Sequence, residues 1–226
     1  MTSPALASTR LPSLRRSHRG FNRLLLGATM LAGLSPVAAF GQAVPTGGSV
    51  VAGNAAIAGS GNALTITQSS DRAVIDWTGF SVGSGASVAF DNGHGATLNR
   101  VTGTGISQID GSLIATGSLY LMNANGVVIG KSGVVNTGGT FVASTLDVAT
   151  GDFMKGGALN FAGPSRASVI NLGKIGSLGG NVALIGATVI NQGAISAANG
   201  TAGLIAGASV LLRDTANDSG GLFSVL

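Results

Sequence analysis

The chain has no cysteine and no glutamate, so every one of its eight acidic residues is an aspartate. Without disulfides, an exported chain depends on its core alone for stability. Without Cys or Glu, thiolate and clustered-carboxylate metal sites lose most of their ligands. Charged residues make up 9% of the sequence and aromatics 4%, against about 25% charged for an ordinary globular domain. Such a surface must be built from Ser, Thr, Asn, Gly and Ala instead. No stretch sustains the 3.6-residue apolar stripe of a long helix. No aspartate-rich glycine nonapeptide of the calcium-binding kind is present. The Gly-x-Gly pieces at 83–85 and 103–105 lack the further glycine and helix of a dinucleotide site, so no cofactor is implied.

What is present at the start is a leader. Arg10, Arg15, Arg16, Arg19 and Arg23 precede an apolar run over 24–40 that closes on Gly41-Gln42-Ala43. The run is interrupted by Gly27, Gly33 and Pro36 and ends on small residues, which reads as a signal peptide over 1–43, cleaved after Ala43, rather than a membrane anchor. The leader carries five of the twelve basic residues and none of the acids, leaving seven against eight and a net charge of −1. The sequence pI near 10.4 is therefore a property of the leader. The remaining basic residues, from Arg72 to Arg213, are scattered singly, and no nucleic-acid partner has an electrostatic footprint.

Beyond the leader the sequence repeats. Val169-Ile170-Asn171-Leu172-Gly173 returns as Val189-Ile190-Asn191-Gln192-Gly193, and each copy is followed by an isoleucine at the same offset, Ile175 and Ile195. A fixed period of about twenty residues marks a solenoid whose coils bury their apolar sides only by stacking. Short Val/Ile/Leu runs bounded by Gly and Asn make the unit strand-like, and glycine suits corners that need positive φ. The pattern predicts an all-β, right-handed parallel β-helix over 44–212. Eight or nine coils at about 4.8 Å each would span about 40 Å, with Ile170, Ile175, Ile190 and Ile195 stacked inside. Residues 44–61 are expected to cap the first coil, because an uncapped stack exposes strand edges. Alternating strands follow near 63–68, 73–77 and 86–90. The stretch 147–163 breaks the rhythm and is expected to leave the stack as a hairpin or loop. Residues 213–226 read as a polar tail or the start of a linker.

One block departs from a uniform coil. Asn99-Arg100-Val101-Thr102-Gly103, Ser107-Gln108-Ile109-Asp110-Gly111, Asn123-Ala124-Asn125-Gly126-Val127 and 139–145 occur in that order. Together with 77–83 and the Val-Ile-Asn-x-Gly coils, they resemble the secretion domain of filamentous-haemagglutinin-like adhesins, the N-terminal module of two-partner secretion (TPS). The family pattern has proline where this chain has Ala124; alanine adopts the same turn angle with less rigidity. The resemblance implies Sec export and recognition by an outer-membrane transporter with periplasmic POTRA domains. It also implies secretion to the surface or medium of a Gram-negative bacterium, with no enzymatic activity. A host or surface glycan receptor stays open.

Residue by residue, the resemblance places Asn99, Arg100, Asp110 and Gly111 in the family motif. Asn123, Asn125 and Gly126 either shape a coil corner, as Asn and Gly do in turns, or also contact the transporter. Asn171 and Asn191, one coil apart, suit an asparagine ladder with a structural role. Two other readings remain. Gly93-His94-Gly95 resembles the glycine-flanked histidine of pectin-cleaving β-helix enzymes, but the aspartates that such chemistry needs are dispersed. A stand-alone surface-binding β-helix would need no transporter. Mass spectrometry of the exported product is expected to find Val44 at its N-terminus, and an intact leader would contradict the export reading.

Overall fold

The computed structural model describes residues 44–213 and 223–226. The leader over 1–43 lies outside the described residues. Strand after strand returns to one of three sheets, and the stack of returns is a parallel β-helix. The first sheet runs β1 (Ser49–Ala52), β4 (Arg72–Trp77), β6 (Ala96–Val101), β9 (Ser118–Met122), β12 (Phe141–Ser144), β16 (Val182–Gly186) and β19 (Ala202–Ala206). The second runs β2 (Ala55–Ser60), β3 (Ala63–Gln68), β5 (Ser87–Asp91), β8 (Ser112–Ala115), β11 (Val134–Thr137), β15 (Lys174–Ser177) and β18 (Ala194–Ala197). The third is shorter: β7 (Ser107–Ile109), β10 (Val127–Ile129), β14 (Ser168–Asn171) and β17 (Thr188–Asn191).

All pairings in these sheets are parallel except at the start, where β1 meets β4 and β2 meets β3 antiparallel. That hairpin end is the cap expected over 44–61. The two long sheets each have seven strands, fewer than the eight or nine coils expected. At about 4.8 Å per step the stack is about 29 Å tall rather than 40 Å. The shortfall has a simple cause. The excursion over 147–163 takes a coil's worth of sequence out of the stack, so Phe141 lies directly against Val182.

The interior is filled by every second residue of each strand. In the first sheet Ile75, Trp77, Leu119, Leu121, Phe141, Val182 and Leu184 point inward, and alternate positions point out. Trp77 packs edge-on to Phe80 at 5.5 Å, and Phe80 stacks on Phe90 at 6.5 Å, so aromatics fill the first coil. The repeat is in register, with Ile170 against Ile190 and Ile175 against Ile195. Only half of that expectation holds inside. Ile175 is buried and Ile195 packs against the core, whereas Ile170 is half-buried and Ile190 is 38% exposed. Their column continues through Val128 to Gln108 and faces outward. The strand's two-residue period puts Val169 and Asn171 inside together, and this forces Ile170 out.

The outer face of the first sheet is also buried. Val74, Leu98, Tyr120, Met122, Val142, Ala183 and Ile185 form a second core with Leu146, Val148, Phe153, Leu159, Phe161, Val210 and Leu212. The residues expected as a hairpin or loop supply that cover. They form a short helix α1 (Thr150–Lys155) and a strand β13 (Leu159–Ala162), which pairs antiparallel with β20 (Ser209–Leu212). Of the expected tail over 213–226, β21 (Phe223–Val225) pairs with β20; 214–222 lie outside the described residues. Burial on both faces explains why the first sheet's strands read as unbroken apolar runs rather than alternations.

Corner glycines serve close approach more than positive φ. A methyl on Gly111 would run into the carbonyl oxygens of Gly83 and Ala86, and one on Gly193 into that of Gly173. Coils spaced at the strand-to-strand distance leave no room for Cβ there. The register sets an expected contrast in denaturant unfolding. Leu184→Ala should cost about 2–5 kcal/mol and Ile170→Ala less than about 1 kcal/mol. Equal costs would contradict the assigned faces.

Candidate functional site

The residues singled out at 99–126 lie on adjacent coils and divide by face. Asn99, on β6, is fully buried, and its Oδ1 accepts the Trp77 indole N–H at 2.9 Å while its Nδ2 donates to the Tyr120 carbonyl at 3.3 Å. A buried indole and a buried amide thus satisfy each other. Arg100 points the other way. Its Nε donates to Asp147 at 2.9 Å, Nη1 to Asp76 at 3.3 Å and Nη2 to the Val148 carbonyl at 2.9 Å. Thr150 Oγ1 accepts from both Nη atoms at 3.3 Å. The guanidinium fork pins the start of the excursion to the first sheet, a use that suits its planar, multidentate geometry.

Asp110 and Gly111 turn the corner after β7. The Asp110 carboxylate accepts from Gln108 Nε2 at 3.0 Å, its N–H donates to Val82 O at 2.7 Å, and its carbonyl accepts from Ser132 Oγ at 2.8 Å. Gly111 donates to the same Val82 carbonyl at 3.0 Å. Bonds of this kind lock three successive coils together.

The Asn123-Ala124-Asn125-Gly126 turn forms the corner between β9 and β10. Asn123 is 1% exposed. Its Nδ2 donates to Gly105 O and Ser107 Oγ, both at 2.9 Å, and its Oδ1 accepts the Asn125 N–H at 2.9 Å. This is an asparagine turn with its side chain aimed inward at the coil below. Asn125 is exposed, and its Nδ2 reaches Gly103 O at 2.8 Å and Asn123 Oδ1 at 3.1 Å. Gly126 carries φ +120°, which L side chains rarely adopt, and its N–H closes the turn on Asn123 O at 3.0 Å. Ala124 is exposed and its carbonyl accepts from Ser165 Oγ at 2.6 Å.

Asn171 and Asn191 stack as two rungs. Asn171 Nδ2 donates to Asn191 Oδ1 at 2.8 Å and to Ala194 O at 3.3 Å, and Asn171 Oδ1 accepts the Gly173 N–H at 3.1 Å. The inward column beneath them holds Ile129 and Ile109, so the ladder is confined to the later coils. His94 is exposed in the turn between β5 and β6. It borders an open cleft of about 500 Å³ with Asp71, Arg72 and Asn92. Among the described residues no group of three or more His or Asp side chains is placed to hold a metal ion, and no helix is long and apolar enough to cross a membrane.

The sequence pointed to the motif residues without showing how they pair. Ser107 and Trp77, both inside the motif blocks, complete the buried polar pairs, and Asp76, Asp147 and Thr150 complete the Arg100 pin. Of these last three, Asp147 carried a signal, since it stands where the coil rhythm breaks.

A family model described as the TPS secretion domain matches residues 41–225. The crystal structure of the HMW1 secretion domain from Haemophilus influenzae is similar at 35% identity and a TM-score of 0.67, covering 75% of this chain and 46% of that one. A heme/hemopexin-binding protein of Haemophilus influenzae is 44% identical over 87 residues, which is 38% of this chain and 9% of the relative. Its namesake from strain KW20 / Rd is 41% identical over 90 residues, 39% of this chain and 10% of the relative. The chain thus spans about a tenth of the length of these curated relatives. The matched span takes in every coil, both capping strands and the excursion, and the chain belongs to the TPS secretion domain family, whose members serve two-partner-secreted exoproteins that depend on a partner outer-membrane transporter.

Proposed function

We propose that this chain is the non-catalytic secretion module of a surface-exposed or secreted exoprotein of the adhesin type in a Gram-negative bacterium. In this reading the leader over 1–43 directs Sec export. The exported chain then meets POTRA domains of its transporter, which add a strand to it through main-chain hydrogen bonds. The observation that carries the reading is the family match across the whole coil stack, 41–225. The physical character of the chain supports it. Lacking cysteine, the chain can form no disulfide in the periplasm that would obstruct a pore. A stack whose coils need their neighbours gains stability as each coil emerges, which biases movement outward.

Within this function the two asparagines of the corner divide their roles. Asn123 holds the coil together from inside, whereas Asn125 is the member whose exposure suits contact with the transporter. Asn123→Ala strands the Gly105 carbonyl, the Ser107 hydroxyl and the Asn125 N–H, and should cost about 1–3 kcal/mol. Asn125→Ala is expected to cost only about 0.5–1.5 kcal/mol, a fall of about 1–6 °C in the melting midpoint, and to lower secretion of the still-folded chain. The measurement pairs secretion efficiency with thermal midpoint, in cells with and without the cognate transporter. Secretion that persists without any transporter would overturn the proposal, and Asn125→Ala secretion at the wild-type level would remove that residue from recognition.

A further inference from the structure

Three asparagines of the chain are followed by glycine: Asn92-Gly93, Asn125-Gly126 and Asn199-Gly200. Asparagine is a thermolabile residue, and most so in this pair, because glycine has no side chain to obstruct attack of its backbone nitrogen on the asparagine Cγ and bends freely into the ring that results. What holds the amide and the glycine N–H in the folded chain decides whether the attack occurs.

The coil stack holds two of the three pairs firmly. Asn92 is 4% exposed, with Nδ2 donating to Thr97 Oγ1 and Ser118 O, both at 3.0 Å, and Oδ1 accepting the Gly117 N–H at 2.7 Å. Asn125 is exposed, but its Nδ2 donates to both Gly103 O and Asn123 Oδ1, and the Gly126 N–H is bound to Asn123 O at 3.0 Å. Gly126 itself is buried between coils. Its carbonyl accepts the Ser107 N–H at 3.0 Å on one side, and Ser168 of the next coil closes the other. Neither asparagine can swing into a ring without breaking contacts between coils.

Asn199-Gly200 lies in the turn between β18 and β19, and both residues are exposed. The Asn199 amide donates to Leu178 O at 2.8 Å, and the Gly200 N–H reaches Ala197 O only at 3.3 Å. Gly200 backs onto Gly180 of the preceding coil. Since β18 and β19 end their sheets, no coil among the described residues clamps the turn from the other side.

We propose that Asn199 is a site of spontaneous deamidation, and that the register of the coils confines the reaction to it. The Gly200 nitrogen bonds to Asn199 Cγ and the Cγ–Nδ2 bond breaks. The Gly200 N–H proton leaves with Nδ2 as ammonia, and a five-membered succinimide remains. Water then adds to one of the two ring carbonyls and opens the ring, to aspartate or to isoaspartate. Either product puts a carboxylate, which can only accept, where an amide donated to the Leu178 carbonyl. It also places a charge in the stretch 175–212, which has none, and isoaspartate adds a carbon to the main chain between β18 and β19. The last coil is thereby loosened and the coils before it are left intact.

The test is peptide mapping by mass spectrometry of the exported chain during incubation at neutral pH, with the chain denatured in urea as the reference. In urea all three pairs are expected to convert at comparable rates. In the folded chain Asn199 should keep a rate close to that reference, while Asn92 and Asn125 react only after local opening and should be slower than Asn199 by about tenfold or more. Asn199→Asp installs one product in every molecule, and amides of β18 and β19 should then exchange faster than in wild type while those of β12 stay unchanged. Three results would overturn the proposal: Asn125 or Asn92 converting as fast as Asn199 in the folded chain, Asn199 as strongly slowed by folding as the other two, or unchanged exchange of β18 and β19 in Asn199→Asp.

Discussion

A coil of this protein cannot satisfy its own backbone. The strands of the three sheets bond along the stack, to the coil before, the coil after or both, and none of the parallel pairs lies within one coil. Everything else follows from keeping neighbouring coils in register. Apolar residues must fall on the same face in successive coils, polar corner residues must find partners one coil away, and residues at the tightest corners must lack a side chain. Gly111 and Gly193 meet the last condition. Asn99, Asn123 and Asn171 meet the second, each bonding to a residue of an adjacent coil. A buried amide that bridges coils is more than a turn former, because its hydrogen bonds exist only in one register.

The outer cover adds a second constraint. A solenoid with bare outer faces has only nearest-neighbour stability. Here the excursion after β12 lies across the first sheet, reaching back to Arg72 on β4 through Phe153 and to Arg100 on β6 through Asp147 and Thr150. Its strand β13 then reaches forward to β20, which follows the last coil. Early and late coils are thereby tied by a single element. This arrangement suits a chain expected to fold in sequence after crossing a membrane, since the tie closes only when residues 209–212 have arrived.

The sequence revealed the solenoid through the recurrence at 169 and 189 and revealed the corner at Asn123 through its Asn and Gly content. It did not reveal which face each residue takes. Ile170 and Ile190 look more like core than Val169 and Val189, and only the inward Asn171, in the column of Ile109 and Ile129, shows that the frame is shifted by one. The number of coils was overestimated because the period of about twenty residues was carried across all of 44–212, including the excursion and its apolar residues. They belong to the second core. Continuous apolar strands such as 182–186 hint at burial on both faces, but nothing in the sequence says what covers them.

Residue-resolved amide hydrogen exchange on the exported chain tests the central claim, that a coil is as stable as the coils on either side of it and the cover above it. Amides of β9, β12 and β16, with a coil on both sides and the second core outside, are expected to exchange slowest, near the limit of global unfolding. Those of β17 and β18, in the last coil, should exchange markedly faster. Equal protection of β18 and β12, or greatest protection in the last coil, would contradict the account.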